Sequence, residues 1–320
     1  MKVQLATPAT AGTLNGNRML ADRWAAFLQE MGHEVRIESG ARPRPSDLLV
    51  AVHAKRSAAV VEHYAASDRR RPIVVILAGT DIYGDLQAGD RPTIRSLELA
   101  TVLVTLQPLA ARELDRRQAA KAHVVFQSAL PPLETGHPQT GRFDVSMVGN
   151  LRRLKDHLTV IKALELLPPT SKARVLHAGA TIDTGLAARL RANSRSGGRY
   201  RWLGPLEHER SKTMVASTHL LVHPSKREGG ANVVGEALVA GVPVLASRIP
   251  GSVGLLGDGH PAYFPVGDAR RLADLLLSLE RDSWRLARLR ARCVKLAGRF
   301  HPRVEFESIR RVIDQAAAGV

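Results

Sequence analysis

Two carboxylates, Glu228 and Glu236, stand on either side of seven residues, GGANVVG, that are otherwise glycine, small or apolar. The continuation ALVAGVPVLAS reads as the rest of a short helix, a turn at Gly241 and a strand, so the acids flank a helix start. With Asn232 as N-cap, a capping box would put its acid at residue 235, where the chain has glycine; Glu236 comes one residue later, so capping does not account for it. The amides of Ala231, Asn232 and Val233 open the helix, where unpaired N–H groups and the positive dipole end form a seat for phosphate. Gly229 and Gly230 let the backbone approach such an anion. Acids beside a phosphate repel it unless they accept hydrogen bonds from hydroxyls. One carboxylate per sugar, on the two sides of a diphosphate, gives both a role. The plainer alternative is a capped helix next to a chance surface glutamate.

Such a site needs loops presented along one sheet edge. Short β-like runs, VQLAT, DLLVAVH, PIVVILAG, TVLVTL and HVVFQ, alternate with helical patterns such as RMLADRWAAFLQEMG, which stops at Gly32 as a helix C-terminus does. The stretch LPPLETGHPQTGR, 130 to 142, lacks apolar periodicity and reads as a linker. The alternation restarts with DVSMVG, ARVLHAG, YRWLG, HLLVHPS, VPVLAS and AYFPV. Two α/β halves built on parallel sheets are predicted, each binding ligands at the C-terminal edge of its strands. The predicted domains are 1–135 and 136–300, with a final helix at 301–320 crossing back onto the first.

Composition narrows the class. A chain of 320 residues with 44% apolar content supports two cores, and one cysteine, Cys293, excludes a disulfide framework and suits a reducing, cytoplasmic setting. The opening MKVQLATPATAG reads as a strand rather than a secretion signal, and no apolar run reaches bilayer length, so a soluble protein without stable membrane insertion is expected. Net charge is +16, which admits nucleic acid, anionic lipid or phosphorylated small molecules as partners. Nucleic acid is disfavoured by an aromatic content of only 4% and by the absence of zinc, RNP or basic-zipper patterns. Arginine-rich helix faces such as RDSWRLARLRARCVK are the plainer source of the excess charge. Asp81, Tyr83 and Asp85 do not make a DxD, and no His/Cys cluster has ligand spacing, so no metal and no cofactor is expected.

The span from Glu228 to Glu236, followed by Ala237 and GVPVLAS, resembles the E-x7-E signature of the GT-B glycosyltransferases of family 4, generally retaining enzymes that use nucleotide-sugar donors. GHEV, MVGNLRRLKD, HAGA, YRWLG and HPSKREG follow in the family's order, so the resemblance covers nearly the whole chain. It implies an α/β GT-B fold, two Rossmann-like domains facing across a cleft. It also implies that Glu228 contacts donor-sugar hydroxyls, Glu236 the ribose, and Gly230 to Val233 the diphosphate, with Arg201, Trp202 and Leu203 near the base. Lys155 matches the family's diphosphate lysine; the usual arginine is Asn150 here, with Arg152 as its substitute. Lys155, Arg152 and Glu228 are thus the catalytic candidates. TPATAGTLNGNR resembles the glycine-rich loop over the donor phosphates, with Gly16 placed for close approach. Where many relatives carry His-Gly-x-Asp, this chain has Ala78-Gly79-Thr80-Asp81, leaving His53, beside Lys55 and Arg56, as an imidazole candidate against a structural role.

NGNRMLADRWA, HAKRSA, LAGTDIYGDL, LRRLKD, REGGANVVGEALVAGVPVLASRIPGSVGLLG and YFPVGD together resemble the selenosugar synthases of selenoneine biosynthesis. Those enzymes join a hexose from UDP-N-acetylglucosamine or UDP-glucose to selenium supplied as selenophosphate. A selenium nucleophile is soft and largely deprotonated near neutral pH, so it tolerates the loss of a general base at Ala78. Asn17, Arg18, His53, Lys55, Arg56, Thr80 and Asp81 are the expected acceptor contacts. Two other readings stand beside this one: a family 4 transferase with a sugar or lipid hydroxyl acceptor, and a nucleotide-binding protein without turnover. Oligomeric state is left open.

Overall fold

The computed structural model describes residues 1–318 apart from Ala11, Thr13, Leu14, Ala41, Arg69, Thr135, Ser196 and Gly197, with backbone alone at 192–195. The chain forms two compact units. The first takes in Met1–Gln127, Glu228–Gly230 and Pro302–Val320; the second takes in Ser128–Arg227 and Ala231–His301.

In the first unit the order is β1 (Lys2–Ala6), α1 (Gly16–Glu30), β2 (Glu34–Glu38), β3 (Leu48–Val52), α2 (Ala58–Ser67), β4 (Ile73–Leu77), α3 (Arg91–Leu99), β5 (Val102–Thr105), α4 (Arg116–Ala120) and β6 (Ala122–Val124). The six strands are parallel in the order β2-β1-β3-β4-β5-β6. β3 and β4 are buried along their whole length, which is why LLVAV and IVVIL read as continuous apolar runs rather than alternations. β2, EVRIE, lies on an edge and is only half-buried; its charged alternation hid it from the list of apolar runs. α1 begins where Asn15 accepts from the Arg18 amide at 3.0 Å and stops at Gly32, whose φ is +83°. Its Leu20, Trp24 and Leu28 share one core with Val3, Leu5, Val50 and Ile76 of the sheet and with Ile309, Val312 and Ile313 near the C-terminus. The strand order reverses between β1 and β3, so the segments that leave those strands, from Thr7 and from His53, flank the topological switch point where such sheets bind ligands.

The second unit continues with β7 (Phe143–Val148), α5 (His157–Glu165), β8 (Ala173–Ala178), α6 (Thr184–Arg195), β9 (Tyr200–Trp202), α7 (His208–Ala216), β10 (Leu220–His223), α8 (Asn232–Val239), β11 (Val244–Ser247), α9 (Pro250–Leu256), β12 (Tyr263–Phe264), α10 (Ala269–Arg281) and α11 (Ser283–Val294); the last helix of the chain is α12 (Pro302–Ala318), in the first unit. The parallel order is β12-β11-β10-β7-β8-β9, and its switch point lies between β7 and β10. The loop after β7 carries Asn150, Arg152 and Lys155; the loop after β10 carries Glu228, and Glu236 follows on α8. Cys293 is buried, and burial pushes its thiol pKa up, which fits a packing role.

Candidate active site

The cap of the helix that follows Glu228 lies one residue earlier than the sequence suggests. Ala231 is the N-cap, in extended conformation, and Asn232 is the first helical residue. This corrects the reading of Asn232 as N-cap: no side chain caps α8. The Ala231 carbonyl accepts from the Val234 amide at 3.0 Å, while helix geometry gives the amides of Asn232 and Val233 no acceptor within the helix. The seat for an anion is therefore not filled by a capping oxygen. Gly235, where a capping box would need an acid, has a packing reason: a Cβ there would lie 2.8 Å from the Phe300 ring.

Glu236 projects from α8 with its side chain 11% exposed, and its Oε1 accepts from His208 Nε2 at 2.8 Å. That hydrogen bond raises the His208 pKa above the ordinary imidazole value. A carboxylate offers about four lone-pair sites, so the histidine leaves capacity for two hydroxyl donors. Sequence reasoning missed His208, which stands alone in GPLEHERSK with nothing in the spacing to tie it to Glu236.

The loop after β7 is held by a buried polar chain. A carbonyl only accepts, so His177 Nε2 carries the proton and donates to Gly149 O at 2.8 Å; Nδ1 then accepts from the Tyr200 hydroxyl at 2.7 Å. Burial pushes the His177 pKa down to about 4 and, with His177 stacked against it, the His157 pKa down to about 3. Both rings are therefore neutral at neutral pH. From that anchor the chain runs through Asn150, whose Oδ1 accepts from the Ala180 amide at 3.0 Å, to a tight turn at Arg153–Lys155 closed by Asp156 at φ +49°. The Lys155 stem passes over Gly149, where a Cβ would meet its Cδ at 3.3 Å. Arg152 instead lines a cavity of about 520 Å³ with Arg153, Asp183, Arg189 and Lys226; Lys155 is not among its lining residues. Among the stretch predicted near a base, Trp202 Nε1 donates to Gly179 O at 2.9 Å, the Arg191 guanidinium lies 5.3 Å from the Trp202 ring, and the Leu203 amide donates to His177 O. Arg201 is exposed beside them.

In the first unit, Glu228–Gly230 lies against Ala78 and Gly79. A Cβ on Gly229 would sit 2.4 Å from Ala78 O, and one on Gly79 would sit 2.4 Å from the Gly229 amide, so both positions require glycine. Asp81 organises this contact. Its wholly buried carboxylate accepts from the amides of Ala54, Ala78, Gly79 and Ile82 at 2.7–3.1 Å. His53, also buried and at φ +72°, bonds Thr80 Oγ1 through Nε2 at 2.8 Å; burial lowers its pKa against the pull of Asp81. The hydrogen bonds of Asp81 and His53 thus run to the protein's own backbone and to Thr80, whose hydroxyl keeps capacity for a further partner. Lys55 is held by Asp85 and Asp90, each at 2.9 Å, and those hydrogen bonds raise its pKa. Two carboxylates outweigh its charge, so Lys55 supplies no net attraction for an anion. Arg18 pairs with Asp22 at 2.9 Å. Among the described residues Arg56 makes no ion pair, and it carries the positive charge of this loop. Gly16 opens α1 with no atom within 4 Å of an added Cβ, so the protein itself does not demand glycine there; Asn17 follows it, half-buried. Ala11, Thr13 and Leu14 of the predicted glycine-rich loop lie outside the described residues.

Each of the two units is a parallel α/β sheet with loops at its switch point, and the second carries the uncapped start of α8. The match to the family model of group 1 glycosyl transferases spans residues 135–299, and the chain belongs to that family. A stretch of 141 residues is 27% identical to O-antigen chain mannosyltransferase B of Escherichia coli; it takes in 43% of this chain and 37% of that protein, little more than a third of the relative's length. HepE of Anabaena, crystallised with UDP and glucose, superposes with a TM-score of 0.79 at 17% identity over 98% of this chain and 99% of that one. Sucrose-phosphate synthase from Thermosynechococcus elongatus gives 0.79 at 16% identity over 100% of both chains. At such identities these likenesses establish the fold, which is GT-B.

Proposed function

We propose that this glycosyltransferase takes a hexose, glucose or N-acetylglucosamine, from a UDP-sugar and transfers it to the selenium of selenophosphate. The observation that carries the donor half is the α8 N-terminus, free of any capping side chain, with Glu236 on the helix behind it and Glu228 just before it. In this reading the amides of Ala231 to Val233 receive the diphosphate, Glu236 the ribose hydroxyls, and Glu228 the sugar hydroxyls. Lys155 and the α8 dipole stabilise the negative charge that develops on the leaving diphosphate. The complexes of HepE with UDP, glucose and UDP-glucose support a UDP-sugar as donor.

The acceptor half rests on the resemblance to selenosugar synthases and on one feature of the first unit. Alanine stands at position 78, where the resemblance to family 4 transferases implies histidine in many members, and His53 is buried with its pKa lowered. A hydroxyl acceptor needs a base to remove its proton; a selenium anion does not. In the step, the C1–O bond to UDP breaks with its electron pair leaving on the diphosphate, and a C1–Se bond forms. Arg56 is the cation left to meet the acceptor's charge. The mannosyltransferase relative favours a second reading, a sugar hydroxyl as acceptor. The two are separated by incubating the protein with selenophosphate and each UDP-sugar and following products by mass spectrometry. A selenium-bearing hexose with stoichiometric UDP is expected. Donor consumed only when a sugar hydroxyl is offered would support the second reading and overturn the first.

A further inference from the structure

Glu228 can address a sugar only if the backbone at Glu228–Gly230 is fixed, and a buried chain of side chains holds that backbone. Gln127, 7% exposed, donates from Nε2 to the Gly230 carbonyl at 2.7 Å. Its Oε1 accepts from Arg23 Nη2 at 3.0 Å, and Arg23 Nε pairs with Glu305 at 2.8 Å. The Glu305 side chain is wholly buried. The amide of Gln127 has one allowed orientation: a guanidinium only donates and a carbonyl only accepts, so the oxygen must face Arg23 and the nitrogen Gly230. Gly230 itself has no room for a side chain, since a Cβ would lie 2.6 Å from that of Leu106. With Ala78 and Gly79 pressed on Gly229, the loop is gripped at two successive residues. Three elements distant in sequence supply the chain: α1 gives Arg23, the segment after β6 gives Gln127, and α12 gives Glu305.

We infer that Gln127, oriented by Arg23 and Glu305, is a positioning residue that sets Glu228 against the donor sugar. The inference rests on the donor site proposed above. A merely structural bond would behave differently, because loosening the unit as a whole would weaken nucleotide and sugar-nucleotide binding alike. The test is the affinity of the full chain for UDP, UDP-glucose and UDP-N-acetylglucosamine by titration calorimetry, in wild type, Gln127→Glu, Glu228→Ala and the double variant. Gln127→Glu keeps the oxygen that faces Arg23 but opposes a second acceptor to the Gly230 carbonyl. The preference for the better sugar nucleotide over UDP is expected to fall about 5- to 10-fold, with UDP affinity within about 2-fold of wild type. The double variant is expected to lose no more than Glu228→Ala alone, as residues acting through one contact are non-additive. An unchanged preference, or equal loss for UDP and sugar nucleotide, would overturn the inference. Should Gln127→Glu fail to fold, Arg23→Lys, which keeps the charge against Glu305 and loses the fork to Gln127, is read the same way. A wild-type protein that binds neither UDP nor either sugar nucleotide would instead refute the donor site itself.

Discussion

Glu236 and Lys155 are expected to fail in different ways when truncated. On the proposed donor site, Glu236→Ala would remove hydrogen bonds to the ribose from a charged acceptor, and UDP affinity should drop about 10- to 100-fold. On the same proposal, Lys155→Ala would remove charge stabilisation that matters most as the diphosphate departs, so turnover with saturating donor should fall about 100- to 1000-fold with a smaller change in UDP binding. Calorimetry beside initial rates measures both; equal loss of UDP affinity in the two variants with transfer intact would contradict the separate roles. Two histidines add pH dependence of opposite sign. Pairing with Glu236 raises the His208 pKa, so that contribution to stability is complete below about 6.5 and is lost as pH rises through the raised value. An NMR titration should place His208 above 6.5, and Glu236→Gln should return it toward that value. His177 is the reverse case: with its pKa lowered to about 4, the unfolded chain binds a proton that the native ring refuses. Stability should therefore decline from about pH 6.5 toward 4, by on the order of 3 kcal/mol from this residue, and His177→Gln should flatten the decline. The acid pair was legible in the sequence because its spacing is local. His208, Gln127 and Arg23 were not, because each acquires its partner only when elements far apart in the chain are packed together.

α8 shows how an element can contradict propensity for the sake of its neighbours. Alanine is favoured over glycine inside a helix by about 1 kcal/mol, yet Gly235→Ala drives a methyl into the Phe300 ring. The variant should be destabilised by about 1–3 kcal/mol in urea unfolding rather than stabilised. Partial recovery in Gly235→Ala with Phe300→Leu would locate the clash. The strands were legible for a related reason: a parallel sheet covered on both faces buries every residue, so VVIL or LLVA announces itself without alternation. The exposed edge strand β2 sends no such signal. The cap of α8 was misplaced because Asn232 is a favoured capping residue by type, while the start is set here by the backbone of Ala231.

At the scale of the molecule, one short signature is shared between two bodies. Glu228 to Gly230 packs with the first unit, and Ala231 to Glu236 with the second. Nothing in the spacing of the motif discloses that division, since it arises from Gly79 and Gln127, more than 100 positions away in the sequence. The net charge of +16 likewise overstated the cations available to an anionic acceptor, because Lys55 and Arg18 are already matched by Asp85, Asp90 and Asp22. Arg56→Ala should consequently raise the selenophosphate concentration needed for half-maximal rate by about 10-fold or more, whereas Lys55→Ala should change it little. No helix among the described residues is long and apolar enough to cross a membrane. The most direct measurement is a crystal structure of the full chain with UDP. The diphosphate oxygens are expected about 3 Å from the amides that open α8, with the Glu236 carboxylate on the ribose hydroxyls. A diphosphate bound away from that helix start, or Glu236 turned from the ribose, would contradict the donor site on which the proposed transfer depends.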